Sequence, residues 1–227
     1  MYIKKLKIIN FRKIENIDIE LNKNINVFIG KNAQGKTSIL NAIYMLALTK
    51  LEKNLNEDEL IKKNFLFGKI RGNIKVGRIS KNLEVILEKN KKTLKVDGNF
   101  YNKVSAYLSN LNVIMFCPDD LDIVKKSPSV RRNLMNVELC QLYSSYITIL
   151  NEYNKILKIR NEYIRRNYSN INMDYFEVIT SNLIDRAILI MNYRKLFVEK
   201  INSNISDIYY KIMKQEGLKV KYLCNLP

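Results

Sequence analysis

Histidine is absent from this 227-residue chain, and cysteine, proline and glycine are scarce. Without histidine, any general base has to be a carboxylate, a lysine, a tyrosine or a positioned water molecule. The three cysteines, Cys117, Cys140 and Cys224, are odd in number, far apart and without a C-x-x-C pair. This usage argues against a disulfide framework or a zinc site and is typical of proteins in a reducing cytosol.

Long apolar runs are missing as well. The N-terminal stretch MYIKKLKIINF has neither the apolar core nor the small-residue cleavage site of a signal peptide. No stretch approaches the ~18 apolar residues of a membrane-spanning helix. We therefore expect a soluble cytoplasmic protein with no membrane association. Hydrophobic residues make up 47% of the chain, which is enough for one large domain or for two lobes.

Basic residues are in large excess over acidic ones. The chain has 39 Lys+Arg against 22 Asp+Glu, a formal net charge of +17. Such a balance attracts polyanions, chiefly nucleic acid or anionic lipid. A solvated basic surface without a partner would have the same composition, so charge alone leaves both interpretations open.

Two of the seven glycines stand five residues apart in INVFIGKNAQGKTSILNAIYMLA, residues 25–47. They fit the phosphate-loop pattern G-x-x-x-x-G-K-[ST]. Glycine lets the backbone approach phosphates closely, the loop N–H groups form an anion nest, and the following helix adds the positive end of its dipole. Lys36 would reach the β and γ phosphates, and the Thr37 hydroxyl would ligate Mg²⁺. The predicted nucleotide-binding residues are Gly30, Lys31, Asn32, Ala33, Gln34, Gly35, Lys36 and Thr37.

The first half of the chain has mainly strand patterns around this loop. Residues 1–30 predict strands that end in INVFI, a continuous apolar run typical of a buried central strand. Residues 37–49 predict an amphipathic helix. The strand pattern returns from 65 to 101, with an Asp-Gly turn signal, and LNVIMFC at 111–117 predicts another buried strand.

The second half is helical by pattern. Ser127-Pro128 predicts a helix start, and apolar residues spaced by three and four from Leu139 to Ile156 predict one face of a long helix. Asp174 with Glu177 predicts the capping box of a second long helix, and Gly217 predicts its end.

These patterns predict a division into parts. The first is an ATPase lobe, residues 1–117, which is β-rich and holds the phosphate loop. The second is a helical lobe, residues 118–217, with two long antiparallel helices. LKVKYL at 218–223 predicts the start of a return strand, within a last part of residues 218–227.

Four segments together carry a family resemblance. They are NFRKIENIDIEL (10–21), INVFIGKNAQGKTSILNAIYMLAL (25–48), LNVIMFCPDDLDIVKKSPSVRRNLMN (111–136) and YNKILKIRN (153–161). They resemble the RecF family of bacterial DNA repair and replication proteins, which belongs with the SMC-like and ABC-type ATPases. The Phe-x-Pro-acidic-Asp-Leu segment followed by Pro-x-x-Arg-Arg is the family-specific part. The match covers essentially the whole chain, as an N-terminal portion of the family's length.

The resemblance implies an α/β fold: a P-loop ABC-type ATPase head with a β-rich lobe, a helical second lobe, and a sheet left incomplete. It implies ATP and Mg²⁺ as cofactors, with ATP sandwiched between two subunits, so that an ATP-dependent homodimer clamps DNA. Members of the family bind single-strand gaps and duplex junctions. They work with the RecO and RecR proteins to help RecA load, and slow hydrolysis acts as a release timer.

The resemblance also suggests roles for individual residues. Arg12 matches a position that approaches the nucleotide in SMC-like heads, with a solvated arginine as the alternative. Asp119 and Asp120 occupy the region that senses the γ-phosphate and are candidates for catalysis, although Asp119 stands where the family usually has Glu. Capping of the following helix is the alternative for Asp119.

A basic cluster follows in the sequence. Its members could contact DNA phosphates or form a plain solvated helix end. They are Lys125, Lys126, Arg131 and Arg132. Shortly after them, Met135-Asn136 replaces the family's usual Leu-Asp, which puts a charged role at that place in doubt.

Two parts of an ABC-type catalytic site are missing from the sequence. No apolar strand ends in an acidic pair that could hold Mg²⁺ and polarise the attacking water, and no Ser-Gly signature segment exists. We therefore expect an N-terminal fragment with weak or no ATP hydrolysis, with nucleotide binding impaired because one wall of the site is absent, and with apolar sheet edges exposed. The alternatives are an ABC-type transport ATPase subunit and a non-enzymatic DNA or protein interaction module that keeps a relic loop.

Overall fold

Six strands form one antiparallel sheet in the N-terminal part of the computed structural model. The structure describes residues 1–51 and 57–224, apart from the side chains of Glu57, Pro118, Asp119 and Asp122. The chain divides into two compact units, 1–120 and 121–227. In the order β2-β1-β3-β4-β5-β6, the sheet contains β1 (Tyr2–Phe11), β2 (Ile14–Glu20), β3 (Phe67–Val76), β4 (Ile79–Glu88), β5 (Lys91–Val96) and β6 (Asn99–Phe100).

The two faces of this sheet differ in chemistry because side chains alternate along each strand. Leu6 and Ile8 of β1 and Ile70 and Ile74 of β3 are fully buried on one face. The other face is charged; there Lys7 lies opposite Asp18 on one side and opposite Arg71 on the other. The predicted strand patterns in 1–20 and 65–101 are confirmed.

The turn between β5 and β6 is also confirmed. Asp97 and Gly98 have φ values of 50° and 86°, as a two-residue turn with both central residues left-handed requires. The Asp97 carboxylate accepts a hydrogen bond from the backbone N–H of Asn82 at 2.7 Å, which ties the turn to β4.

Three predicted strands are wrong. INVFI (25–29), LNVIMFC (111–117) and LKVKYL (218–223) are irregular, and Ile29 and Ile114 are 91% and 85% exposed. A strand needs a neighbour for its backbone N–H and C=O groups, and among the described residues none pairs with these segments. Apolar side chains are therefore exposed in these segments, but not on edges of the sheet as expected.

One helix packs on the buried face of the sheet. This helix, α1 (Lys36–Leu48), contacts β3 where Gly72 leaves room: a Cβ at Gly72 would lie 2.5 Å from Leu46 Cδ2. The buried hydroxyl of Tyr107 donates to the backbone carbonyl of Leu46 at 2.8 Å. Burial raises the pKa of Tyr107 above its ordinary value, so this hydroxyl keeps its proton. Two short helices belong to the same unit, α2 (Glu57–Leu60) and α3 (Val104–Tyr107).

The second unit is helical, with three long helices instead of the predicted two. The predicted first long helix breaks at Tyr143, whose extended backbone (φ −136°, ψ 109°) ends one helix and begins the next. Pro128 occupies the first turn as predicted. After a 3-10 turn at Pro118–Leu121, the helices are α4 (Asp122–Lys125), α5 (Pro128–Leu142), α6 (Ser144–Arg166) and α7 (Met173–Met213).

Both predicted ends of α7 are corrected. Its N-cap is Asn172, whose side chain accepts from the backbone N–H of Tyr175 at 3.0 Å, so Asp174 lies in the first turn and does not cap it. The helix ends at the left-handed residue Lys214 (φ 57°), before the predicted Gly217. No helix among the residues described is long and apolar enough to cross a membrane.

A polar contact lies beside the core of this unit, where Asn136 and Arg194 are half-buried. Asn136 Oδ1 accepts from the Tyr146 hydroxyl at 2.6 Å and from Arg194 Nη2 at 3.0 Å. Arg194 Nε is buried and has no hydrogen-bond partner among the described residues. The asparagine noted in the sequence therefore stands where a carboxylate would bond the Arg194 guanidinium more strongly.

We predict that Gly72 and Leu46 are energetically coupled. Gly72→Ala should lower the free energy of unfolding by about 1–3 kcal/mol through overpacking, and Leu46→Ala by about 2–5 kcal/mol. The double variant should lose less than the sum, because truncating Leu46 makes room for the new methyl group. Urea unfolding of the three variants measures this coupling, and strict additivity would contradict the packing described here.

We predict that Asn136→Asp raises the free energy of unfolding by about 1–3 kcal/mol at neutral pH, because it gives Arg194 an ionised acceptor. Arg194 should lower the folded-state pKa of the new carboxylate below the unfolded value of about 4. The gain should therefore be present above pH ~4 and disappear as the pH falls through the folded pKa. Denaturant unfolding between pH 3 and 7 measures it. Asn136→Ala is the control and should destabilise, and an aspartate variant less stable than the native chain at pH 7 would refute the prediction.

Candidate functional site

The phosphate loop connects the irregular segment 25–29 to α1. Gly35 is the N-cap of α1, with a φ of 93°, a left-handed conformation that glycine adopts without strain. Ala33 is also left-handed, with a φ of 66°. No atom lies within 4 Å of where a Cβ of Gly30 would be, so the backbone there is open to close approach. The loop therefore has the bare, sharply turned main chain that a phosphate-binding nest requires.

Lys36 lies at the first position of α1 and bends back over the loop. Its ammonium group donates to the carbonyl oxygens of Gly30 at 2.5 Å and Lys31 at 2.8 Å. It forms no ion pair with a carboxylate among the described residues. The charge is therefore held at the loop itself, within reach of an anion that enters the nest.

A cavity of about 240 Å³ opens beside the loop. Asn32, Ala33, Gly35, Lys36, Thr37 and Ser38 line it from the loop and α1. Arg12 and Lys13, the two residues of the turn between β1 and β2, line it from the other side. The structure thus brings Arg12, predicted from its family position, to the same cavity as the phosphate loop.

Backbone hydrogen bonds connect the turn that holds Arg12 to the end of α2 and the residues after it. Arg12 has a left-handed φ of 52°, and its backbone N–H donates to the carbonyl of Leu60 at 2.8 Å. Lys62 extends this contact: its N–H donates to the Asn10 carbonyl at 2.9 Å and its ammonium pairs with Glu15 at 2.5 Å. Hydrogen bonding to Lys62 holds the pKa of the Glu15 carboxyl below its ordinary value. These contacts hold Arg12 in its left-handed conformation and so fix the place of its side chain beside the loop.

The electrostatics of the cavity favour an anion. Three cations line it, Arg12, Lys13 and Lys36, and no carboxylate does so among the described lining residues. The first turn of α1 has no acidic residue, so no carboxylate there competes for the positive end of its dipole. The Thr37 hydroxyl is exposed next to this dipole end. No group of three or more metal-binding side chains occurs in the described part of the chain. A magnesium ion held at Thr37 would take its other ligands from water and from phosphate oxygens.

The two acidic candidates lie elsewhere in the first unit. The Asp120 carboxylate accepts a short hydrogen bond from the backbone N–H of Cys117, and the Asp120 N–H donates back to the Cys117 carbonyl at 2.9 Å. Asp120 therefore closes the 3-10 turn and is not among the residues that line the loop cavity. The side chain of Asp119 lies outside the described part of the structure. A catalytic role for either remains a prediction.

The predicted basic cluster lies in the second unit, from α4 to α5. Arg131 donates to the backbone carbonyls of Ile123 at 2.9 Å and Lys126 at 3.1 Å, so its guanidinium caps the end of α4. Lys125 and Arg132 are exposed. Lys126 and Arg131 are exposed as well, so contact of the whole cluster with a phosphate backbone stays a prediction.

Two cavity residues escaped the sequence analysis. Lys13 follows Arg12 directly, and its place next to a predicted nucleotide-contacting position was a usable signal. Ser38 follows the phosphate-loop pattern by one residue and carries no signal of its own.

The comparisons of this chain with known proteins agree with one another on its family. The family model described as an AAA ATPase domain matches residues 1–222. The DNA replication and repair protein RecF of Listeria monocytogenes serotype 4b is 34% identical over 229 residues, covering 100% of this chain and 62% of the relative. RecF of Clostridium perfringens (strain SM101 / Type A) is 36% identical over 228 residues, covering 100% of this chain and 63% of the relative.

A solved structure agrees with the sequence comparison. The structure of the recombination mediator protein RecF with ATP has a TM-score of 0.88 and 26% identity, covering 99% of this chain and 64% of that one. The chain thus has the RecF-like ABC-type ATPase fold and spans about 62% of the length of the curated relatives it matches. It belongs to the RecF family.

Proposed function

We propose that this chain binds ATP through its phosphate loop as part of a RecF-type DNA repair protein. The observation that carries this proposal is the loop cavity, where three cations meet the bare backbone and the unopposed dipole of α1. In this proposal the loop N–H groups and Lys36 hold the β and γ phosphates. Arg12 approaches the phosphate tail from the hairpin, and Thr37 contributes a hydroxyl to Mg²⁺.

We further propose that nucleotide binding serves DNA binding during recombinational repair in the cytoplasm. The solved relative is described as a recombination mediator of the RecFOR pathway. By family membership we infer an ATP-dependent homodimer, binding to single-strand gaps and duplex junctions, and cooperation with RecO and RecR in RecA loading. The excess of positive charge supports contact with a polyanion. Membership of the RecF family disfavours the transport ATPase alternative.

Hydrolysis by these residues alone is proposed to be weak or absent. The described lining of the loop cavity contains no carboxylate to hold the metal or to polarise water. In this proposal the chain can bind a nucleotide without hydrolysing it.

We predict that Lys36→Ala weakens binding of ATP with Mg²⁺ at least tenfold, because the loop loses the charge that faces the phosphates. Isothermal titration calorimetry with the intact protein that carries these residues measures the affinity. Lys23→Ala, which removes an exposed charge from the loop after β2, is the matched control and should bind normally. Equal affinity of the Lys36 variant and the native protein would refute the proposed function.

We predict that Arg12→Gly lowers the affinity for ATP without lowering the free energy of unfolding. Glycine accepts the left-handed conformation of residue 12, so the free energy of unfolding should stay the same or rise slightly. ATP affinity should fall about three- to tenfold, because the guanidinium leaves the cavity while Lys36 remains. Thermal unfolding and calorimetry on the same sample test both parts. Unchanged affinity would show that Arg12 is a solvated arginine that does not contact the nucleotide.

A further inference from the structure

The charged face of the sheet contains a second cavity, of about 530 Å³, that the phosphate loop does not explain. Its cations come from β1 and β3: Lys4, Lys5, Lys7, Arg71 and Lys75. Two carboxylates, Asp18 and Glu20, also line it, and the remaining described lining residues are neutral and polar. We propose that this surface, called the sheet groove below, binds the phosphate backbone of double-stranded DNA. The inference rests on the proposed DNA-binding function and assigns it a surface.

The sheet register spreads these cations into an array. Lys5 lies opposite Asn73, and Lys7 lies opposite Arg71 on the neighbouring strand. Neighbouring strands are about 4.8 Å apart, and alternate residues on one strand are about 6.8 Å apart. A single small anion would contact only one or two of these charges. A chain of regularly repeated phosphates can contact several of them together.

The cations of the sheet groove are only partly neutralised by the protein. The Asp18 carboxylate forms ion pairs with both Lys5, at 3.1 Å, and Lys7, at 4.0 Å. Arg71 has a distant carboxylate at 4.0 Å, on Glu84, which also pairs with Lys69 at 2.9 Å. Lys4 and Lys75 have no carboxylate partner among the described residues. Exposed ion pairs contribute only about 0–1 kcal/mol, so DNA phosphates can compete for these cations.

The chemistry of the lining favours a duplex backbone over other polyanions. No aromatic side chain is among the described lining residues, so there is no platform on which single-stranded bases could stack. The Asn73 amide already donates to Asn82 Oδ1 at 2.9 Å, and the Ser80 hydroxyl donates to Asn73 Oδ1 at 3.1 Å. Contact with phosphate oxygens therefore falls to the lysines and Arg71, which bind a backbone without reading sequence. Peripheral membrane binding draws on inserted apolar side chains, and no described lining residue is apolar.

The sheet groove is separate from the nucleotide cavity. The described linings of the two cavities have no residue in common. Strand β1 connects them: it carries Lys4, Lys5 and Lys7 near its start, and Arg12 follows its end. Changes in the sheet groove should therefore leave ATP binding intact, which gives the test an internal control.

The test compares two triple variants of the intact protein that lose the same charge. Lys4→Gln/Arg71→Gln/Lys75→Gln removes three cations from the sheet groove. Lys155→Gln/Lys158→Gln/Lys195→Gln removes three exposed cations from α6 and α7. Fluorescence anisotropy with a labelled 30-base-pair duplex and a 30-nucleotide single strand, in the presence of ATP and Mg²⁺ and over a range of salt concentrations, gives the affinities. Thermal unfolding and ATP calorimetry confirm that each variant is folded.

We expect the groove variant to bind the duplex at least tenfold more weakly, with the slope of log affinity against log salt reduced by about 2–3, because about 0.9 is lost per phosphate contact. The helix variant should bind nearly as tightly as the native protein. An unchanged groove variant, or equal losses in the two variants, would overturn the groove assignment and leave DNA binding elsewhere. Binding of phosphatidylserine vesicles instead of the duplex would also overturn it. No duplex binding by the native protein, with normal ATP binding, would show that the DNA-binding part of the proposed function itself fails.

Discussion

The contact between α1 and the sheet is the constraint on which the nucleotide site depends. Gly72 has no side chain, so Leu46 lies directly on β3, and the Tyr107 hydroxyl bonds the Leu46 carbonyl from another side. A helix fixed in this way has a fixed N-terminus, and the phosphate loop ends there at Gly35. An anion nest binds well only when its N–H groups already converge, because reorganising them on binding would oppose affinity. Packing at Leu46, ten residues away from Lys36, therefore determines the position of the loop N–H groups.

Strand β1 links the two anion surfaces of the first unit. Its buried residues Leu6 and Ile8 hold it in the core, while Lys5 and Lys7, which alternate with them, face outward. The strand ends in a hairpin turn that places Arg12 and Lys13 beside the loop. Because the side-chain period of a strand is two, the residues that stabilise the fold and those that face a polyanion are interleaved in one short sequence. A register slip of one residue would bury the lysines and expose the core, so both surfaces depend on the same pairing.

Much of the site followed from local sequence, and the errors have a common cause. The eight residues of the phosphate loop, the helix behind it and the strands in 1–20 and 65–101 were predicted because each carries its own periodicity or turn signal. INVFI and LNVIMFC also have strand composition, yet they are irregular because composition supplies apolar side chains but no partner backbone. The break at Tyr143 was missed because apolar spacing continues through it: Leu139 and Tyr146 lie in the same core although they belong to different helices. The caps of α7 were misplaced because Asn172 and Lys214 supply them without the usual Asp or Gly signals.

The sequence by itself determined that this chain carries a phosphate-binding loop, a basic surface and the marks of the RecF family, because these are properties of residue identity and short-range spacing. Only the tertiary structure decided that Arg12 and Lys13 face the loop, and that Asp120 closes a turn instead of lining the loop cavity. It also gathered the lysines of β1 with Arg71 and Lys75 of β3, residues more than sixty positions apart, into one groove. The physical reason is that strand pairing and helix docking set long-range neighbours, and the pairing register, which no single segment encodes, determines which charges meet.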